Sequence, residues 1–428
     1  SVTSCCCRVL ERIVKNKIVC FLAERNFSTG TQHGFVSRRS TDTMLLKFYE
    51  YVTDRVDQGL IVDAVFFDFS KAFDVIPHNT RMSRLQSCGI SGDVLSWIRN
   101  FLTDRYQMVR IGGSTSNTLP VTSGVIQGSV LGPMLFNIFI NDLDSSVRSC
   151  EVLKYADDLR IFLSSKKSQM AITDLQGKIQ RDIDGISQWA LESGMRFNVN
   201  KCFTTTFGKT IHPTNYAIND NPVLHSNTFR DLGLTVSSSF SFNDHIDRVV
   251  SKAFSRLGLI KRIFNNKSTA HIVQLYKSFV RPILEYSSII WNPYTARNIK
   301  KIESVQRRMC RIIPATSFLP YRRQLHFLRL FSLQTRRVRY QLITIFKIYK
   351  GMLDLNFRDF FDVTKEERTR GNKIKIVPKF AKNNYRLNYF SNSAVGLWNK
   401  LSNDDISVDT VPQFKHRLTS FLRANDLW

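Results

Sequence analysis

Glu151-Val-Leu-Lys-Tyr-Ala-Asp-Asp-Leu-Arg-Ile-Phe-Leu163 sets two adjacent aspartates between two apolar runs. Val152-Leu153 and Ile161-Phe162-Leu163 read as paired strands, and Tyr155-Ala156-Asp157-Asp158 as the tight turn of a β-hairpin. One aspartate in a turn is ordinary. Two in a row beside a core put like charges side by side, which is unfavourable unless a cation neutralises them. The stretch has two readings at this level, a divalent-metal platform and a plain acidic turn.

Upstream, Ile61-Val-Asp-Ala-Val-Phe-Phe-Asp-Phe69 is almost continuously apolar, as a strand buried on both faces is. It ends at Asp68. If this strand and the hairpin are neighbours in one sheet, Asp68, Asp157 and Asp158 converge; the alternative is three unrelated surface carboxylates. Three hard oxygen ligands suit Mg²⁺, which keeps positions open for water and substrate phosphate. Two such ions about 3.5–4 Å apart can activate a 3′-hydroxyl and stabilise a leaving pyrophosphate.

The chain has 428 residues, 61 Lys plus Arg against 35 Asp plus Glu, and a net charge of +26. That length allows two or three domains. The charge implies a polyanionic partner, nucleic acid or an anionic membrane surface. No apolar stretch approaches the roughly 18 residues of a membrane span, and the amino terminus has no secretory pattern. Nucleic acid is therefore the expected partner, with no membrane. The eight cysteines form no C-x-x-C pair and no zinc-finger spacing; they read as reduced, mostly buried thiols of an intracellular protein. The chain opens at Ser1 in helix-like sequence, as a fragment of a longer polypeptide would.

Residues 8–25 carry helical periodicity, and Ser40 or Thr41 caps a second helix running to about Asp57. Between them lies a loop from Ser28 and Thr29 to Ser40. Residues 79–103 read as two short helices broken at Gly89–Gly92, and Gln107–Ile111 as a strand. The Gly-rich loop Val121–Pro133 opens a helix through about Leu143. Residues 170–192 are helical, 196–207 a turn and a strand, and Phe229–Val236 one short strand. From His245 onward, residues 245–264, 268–281 and 297–313 are basic helices. This is an α+β chain, a small sheet carrying acidic loops followed by a helical basic module.

Phe66-Phe-Asp-Phe-Ser-Lys-Ala-Phe-Asp74, Ser123-Gly-Val-Ile-Gln-Gly-Ser-Val-Leu-Gly-Pro133 and Tyr155-Ala-Asp-Asp158 occur in that order. They resemble motifs A, B and C of the reverse transcriptase palm, in the version of non-LTR (LINE-type) retrotransposons close to the jockey and CR1 groups. Gln32-His-Gly-Phe35 with Arg39-Ser40 resembles the fingers motif, Asn198-Val-Asn-Lys201 motif D, and Asp231-Leu-Gly-Leu234 the start of motif E. Residues 245–295 resemble the thumb. The resemblance covers most of residues 8–315.

It implies a right-hand polymerase of fingers, palm and thumb with an antiparallel palm sheet. Residues 1–60 would be partial fingers, 61–244 the palm with inserted fingers elements, 245–319 a helical thumb, and 320–428 a basic helical region without a motif. Asp68, Asp157 and Asp158 would hold two Mg²⁺ ions, or Mn²⁺, with the Phe69 carbonyl as a further ligand. Phe73 stands where the family has its steric gate against a ribose 2′-hydroxyl. Gln127 and Gly128 match the pair lining the templating base and incoming nucleotide, where glycine lets backbone approach closely. Arg39 matches the arginine facing the triphosphate, and Lys201 the lysine proposed to assist pyrophosphate departure. For Arg39 and Lys201 a surface salt bridge is the plainer alternative.

Three features depart from the family pattern. Ile126 stands in the usual place of proline, Val36 and Ser37 in places commonly basic, and the chain starts inside the fingers. The intact polypeptide is expected to carry an endonuclease upstream. On the thumb, Lys252, Arg256, Lys261 and Arg262 read as roughly one helix face for phosphate contacts; a solvated charged face is the alternative. Arg336-Arg337, Tyr385, Tyr389, Trp398 and Trp428 read either as an RNA-stacking surface or as core.

These residues lead to an RNA-directed DNA polymerase that extends a DNA 3′ end on an RNA template with dNTPs, in target-primed reverse transcription. It would work in a ribonucleoprotein of nucleus and cytoplasm. The competing readings are an inactive nucleic-acid-binding remnant and an intron-type reverse transcriptase with a maturase role.

Overall fold

The computed structural model describes residues 3–25, 27, 30–209, 215–264, 268–364 and 374–425. Ser28, Thr29 and Trp428 lie outside the described residues. In chain order, α1 (Cys5–Glu24) and α2 (Thr41–Asp57) precede β1 (Ile61–Phe67). Then come α3 (His78–Ser87), α4 (Gly92–Leu102) and α5 (Gly132–Ile140), the hairpin β2 (Glu151–Tyr155) and β3 (Asp158–Ser165), α6 (Gln169–Glu192), β4 (Phe203–Phe207) and β5 (Leu224–His225). The rest is β6 (Thr228–Asp231), β7 (Leu234–Ser237) and a helical series including α7 (Asn243–Ile263), α8 (Ala296–Ile312), α9 (Leu333–Tyr349) and α10 (Val411–Ala424).

The chain divides into two compact units, residues 1–40 with 59–226, and residues 41–58 with 227–428. These are not the divisions at 60, 244 and 319 that the motifs suggest. The difference lies in α2, which is buried on most of its surface among residues of the second unit.

The first unit is built on a five-stranded sheet in the order β5-β4-β1-β3-β2. Every pairing is antiparallel except β5 with β4, which is parallel. β1 is central and buried along its whole length, as its apolar run predicts. Its one charged side chain, Asp63, accepts through Oδ2 from the Tyr216 hydroxyl at 2.6 Å. Ile172, Leu175, Ile179, Ile183 and Ile186 of α6 pack on the sheet together with Phe136 and Phe139 of α5. A second core joins Ile18 and Leu22 of α1 to α3, α4 and the remaining face of α5. α5 is apolar all round because it is shared by both cores. Gln107–Ile111 is not one strand: Tyr106–Gln107 pairs with Leu119–Pro120, and Arg110–Ile111 with Ser114–Thr115, all of it exposed.

In the second unit, Phe229–Val236 proves to be a hairpin. β6 and β7 pair antiparallel around Leu232 and Gly233, both at positive φ. The helix expected over 268–281 is Thr269–Leu275 followed by a π-helical turn, Tyr276–Val280, and Arg281–Glu285. Pro282 stands just after that turn, where it removes a donor from the helical ladder. Trp398, Tyr389 and Arg337 are buried and Tyr385 is half-buried against Phe240, so this group is core rather than an open stacking surface. Of the eight cysteines, only Cys202 and Cys310 are buried, and none is paired. The expectation of mostly buried thiols fails because α1 turns Cys5, Cys6 and Cys20 outward. Among the described residues no helix is long and apolar enough to cross a membrane.

Candidate active site

β1 pairs with β3 in the register Phe67↔Leu159. One step further, Asp68 leaves the end of β1 beside Asp158, which starts β3. Adjacent strands lie about 4.8 Å apart, so the two backbones are neighbours. Asp157 occupies the turn that joins β2 to β3, half-buried, while Asp158 is exposed. Burial raises the Asp157 carboxyl above its ordinary value; its own backbone N–H pulls it down, and the charge of Asp68 pushes it up again. Asp157 therefore senses the charge of Asp68, as a carboxyl near a like charge does.

The hairpin turn has two residues, Ala156 and Asp157, between the paired Tyr155 and Asp158. Ala156 sits at φ 56°, a left-handed conformation costing a non-glycine residue about 1–2 kcal/mol. Gln32 holds it there. The Gln32 Oε1 accepts from Ala156 N at 2.9 Å and from Gly34 N at 2.7 Å, while Nε2 donates to the Ala156 carbonyl at 3.1 Å. Backbone bonds on either side, His33 N to Lys154 O and Lys154 N to Thr31 O, stitch the 31–33 segment onto β2. Lys154 is fully buried and its ammonium pairs with Asp144 at 2.5 Å, which also accepts from Thr31 Oγ1 at 2.6 Å. Arg39 Nη1 donates to the Gln32 carbonyl at 2.6 Å. The residue expected to face a triphosphate thus braces this loop.

On the other side of β1, Asn198 N donates to the Asp68 carbonyl, and Ser70 N to the Arg196 carbonyl. These bonds flank the Phe69–Phe197 bridge, so the Phe69 carbonyl is turned away from Phe197. The Cys202 thiol lies 3.4 Å from Asp68 N as its acceptor. Lys201 Nζ stands 3.7 Å from Asp68 Oδ1, an exposed pair.

The Gly-rich loop is zipped to the segment after β1. Val125 N donates to Phe73 O, Gly124 N to Ile76 O, Ser123 Oγ to Asp74 O, and Gln127 Nε2 to Asp74 Oδ1 at 2.7 Å. Gly124 has φ 80°, and a Cβ there would lie 2.7 Å from Asp74 backbone, so only glycine fits. Arg81 Nη1 and His78 Nε2 hold the Gly124 carbonyl at 2.6 and 3.2 Å. Glu11 of α1 accepts from Val130 N and Leu131 N at the start of α5. The Phe73 ring stacks on Phe136, centroids 4.3 Å apart, with Phe35 edge-on at 6.4 Å. Gln127 and Gly128 are exposed, Gly128 at φ 87°.

In the second unit, Lys252, Arg256, Lys261 and Arg262 are all exposed on α7. They do not share one face. At about 100° per residue, Lys261 lies about 180° round from Lys252. The four flank and oppose the buried stripe of Ile246, Val249, Ala253, Leu257 and Ile260.

Among the described residues, no three His, Cys, Asp or Glu side chains are grouped closely enough to hold a metal ion unaided. The three aspartates stand at one end of neighbouring strands as an open, all-oxygen donor set. That set, with one carboxyl held above its ordinary value by burial and a like charge, fits a hard divalent cation completed by substrate oxygens. Gln32, Lys154, Asp144, Glu11 and Asp74 support the site and were not singled out in the sequence. The signals were Gln32 within Gln-His-Gly-Phe and a lysine in the middle of the apolar run Val152–Tyr155.

An antiparallel sheet core with this hairpin packed beside its central strand, and this Gly-rich loop next to it, defines a polymerase palm. The family model described as reverse transcriptase (RNA-dependent DNA polymerase) matches residues 1–236. The chain belongs to that family. The likeness to the LINE-type, jockey-like group is borne out by its relatives. It is 27% identical over 325 residues to the probable RNA-directed DNA polymerase from transposon BS of Drosophila melanogaster, covering 73% of this chain and 35% of the relative. It is 25% identical to the RNA-directed DNA polymerase from mobile element jockey of the same fly, covering 72% and 34%. The chain spans about a third of the length of these curated relatives. Among solved structures, apo telomerase from Candida tropicalis aligns with a TM-score of 0.44 at 13% identity, over 80% of this chain and 59% of that one.

Proposed function

We propose that this chain is the RNA-directed DNA polymerase portion of a non-LTR retrotransposon polypeptide. It adds dNTPs to a DNA 3′-hydroxyl on an RNA template, in target-primed synthesis at a genomic nick. The observation that carries this reading is the β1–β3 register, which brings Asp68 beside the Asp157–Asp158 hairpin in a chain of the reverse transcriptase family.

Asp68, Asp157, Asp158 and the Phe69 carbonyl would hold two Mg²⁺ ions, or Mn²⁺. Such ions supply activation of the attacking hydroxyl and neutralisation of charge on the leaving pyrophosphate. Phosphoryl transfer asks little more of the protein than positioning and electrostatics. The Gln32 clamp fixes the turn that carries Asp157. The Phe73 ring, wedged against Phe136, excludes a ribose 2′-hydroxyl. Gln127 and Gly128 line the nascent base pair, Gln127 oriented by Asp74. Arg39 faces the triphosphate from its brace on Gln32, and the Lys201 ammonium donates a proton toward the departing pyrophosphate. Lys252, Arg256, Lys261 and Arg262 give sequence-independent phosphate contacts from both flanks of α7. An endonuclease elsewhere in the polypeptide would make the nick, and the working particle is a ribonucleoprotein of cytoplasm and nucleus.

Primer extension tests this reading. The purified chain receives an RNA template, an annealed DNA primer, dNTPs and Mg²⁺, in parallel with Asp157→Ala. Synthesis that needs the divalent ion and falls at least about a thousandfold in the variant, several kcal/mol of lost charge stabilisation, is expected. Absence of synthesis by the unaltered chain, with salt-sensitive duplex binding retained, identifies a binding remnant instead.

A further inference from the structure

The second unit holds a cavity of about 260 Å³, walled mostly by the part of the chain without a motif. Glu285, Arg336, Arg337, Arg339, Lys347 and Lys415 line it. Four of its cations come from α9, and Lys415 from α10. One carboxylate thus faces five cations, and it is already spoken for. Arg336 grips Glu285 with Nε and Nη2. The other four cations have no carboxylate in the cavity wall.

Arg337 is the anomaly. It is 2% exposed, its Nε donates to Asn292 Oδ1 at 3.0 Å, and both Nη1 and Nη2 are buried without a partner. The Nε of Arg339 is buried and unpartnered too, although its Nη2 reaches the Lys415 carbonyl and Thr419. Burial pulls the Arg337 guanidinium down to about 10, against the pull of Glu303 and Glu285. Lys415 is lowered by burial, then by Arg339 and Lys347. Glu303 and Glu285 offset part of the Arg337 charge, but two buried donors without acceptors remain unfavourable. An arrangement of four crowded cations around two orphaned Nη groups is completed by an anion. The fork of Arg337 matches the paired oxygens of a phosphate, and the cavity has room for a phosphate with its attached sugar. Lys415, exposed at the rim, continues the charge outward.

We propose that this cavity is a phosphate-binding site that seats one phosphodiester of an RNA strand, with Arg337 at its base and Arg339, Lys347 and Lys415 around it. Its net +26 charge makes a polynucleotide the expected partner of the chain. All six lining residues belong to the second unit, so the proposal stands whether or not the aspartates of the first unit polymerise.

The test uses the full chain, a short unstructured RNA, and inorganic phosphate as a separate probe. Two variants are compared, Arg337→Met and the rim double Lys347→Glu with Lys415→Glu. Both should bind the RNA at least about tenfold more weakly. Each lost single-strand phosphate contact should make the plot of log affinity against log salt shallower by about 0.7. Inorganic phosphate should raise the thermal midpoint of the unaltered chain and not that of Arg337→Met. If Arg337→Met does not fold, the rim double decides alone. Unchanged RNA affinity and slope overturn the proposal. Phosphate-dependent stabilisation with unchanged RNA affinity overturns it too, assigning the cavity to a free phosphate.

Discussion

The side chain of Gln32 closes a ring on Ala156, 124 residues away, accepting from its N–H at 2.9 Å and donating to its carbonyl at 3.1 Å. Both groups are buried, and they belong to the residue that positions Asp157. Gln32→Ala leaves them, and Gly34 N, without that partner. An unsatisfied buried group costs about 1–3 kcal/mol, so urea unfolding should show a loss of at least that size. Primer extension should fall further than stability does, because the strained turn relaxes. Wild-type unfolding and extension by the variant would remove the clamp from the account.

Gly34 faces the same turn. A Cβ on Gly34 would stand 2.3 Å from Ala156 N, which is backbone and cannot swing aside. Gly34→Ala should destabilise the chain by about 1–3 kcal/mol, the usual range for forced overpacking. It should also depress DNA synthesis without changing duplex affinity. Denaturant unfolding together with a binding isotherm separates the two effects.

Asp157 carries a pH signature. Its carboxyl is held above the ordinary 3.8 by burial, opposed by its own N–H and reinforced by Asp68. Below 3.8 the group is protonated in both folded and unfolded chains, and this contribution to stability is fully present. As pH rises through the raised folded value it is lost, because the fold must ionise a disfavoured carboxyl. Asp157→Asn removes that loss. In the absence of divalent ions its Tm should exceed that of the wild type at neutral pH, and the gain should vanish below the ordinary aspartate value. A variant less stable at neutral pH would contradict the site's electrostatics.

Asp74 and Phe73 should separate in their effects on nucleotide choice. Phe73→Val opens the ring position on Phe136 and should admit ribonucleotides, at about 1–3 kcal/mol of folding stability because the ring is only partly buried. Asp74→Ala releases Gln127 and should raise KM for dNTPs severalfold, whereas Asp74→Asn keeps an acceptor oxygen and should restore it. Steady-state incorporation of dNTP against rNTP checks both. If Asp74→Asn behaves as Asp74→Ala, the Gln127 contact is not what Asp74 contributes.

Arg386 is 1% exposed and donates to Glu50 Oε1 at 2.7 Å and Thr53 Oγ1 at 3.1 Å. Burial raises the Glu50 carboxyl, and Arg386 is the group that holds it down. Arg386→Ala leaves the buried carboxylate with only the more distant Lys379, 3.9 Å away, and breaking such a buried pair typically costs about 3–5 kcal/mol. Chemical denaturation should show a loss of that order, partly recovered in the double variant with Glu50→Gln. No recovery would mean that packing, not charge, makes the site.

Much of the first unit was legible because its signals are local. The apolar run of β1 has the length of a strand and no polar alternation, and the Tyr-Ala-Asp-Asp turn is bounded by apolar pairs. α1 and α6 follow from their periodicity, as does α2 of the second unit. The hairpin at 228–237 was hidden because Asp231-Leu-Gly-Leu234 lacks the usual two-residue turn chemistry, and Leu232 is forced to positive φ. The Gln32 clamp and the Lys154–Asp144 pair join residues through the fold, and no spacing rule announces them. The four α7 cations were read as one helix face, but at about 100° per residue they spread round the helix, with Lys261 opposite Lys252. The cysteines of α1 misled for a related reason, since only one stripe of that helix, with Glu11, Ile18 and Leu22, meets a core.

The path of α2 has a consequence for how this molecule can be handled and inherited. The chain enters the second unit for residues 41–58, returns to build the sheet, and leaves again at 227. Asp57 then receives backbone N–H groups of Lys382 and Asn383, more than three hundred residues later. No single cut separates the two units. A chain ended at 226 keeps α2 with its apolar surface and none of its cover, and a chain begun at 227 lacks the helix its own interior was built around. A copy shortened from its amino-terminal side past residue 58 therefore loses part of both units at once.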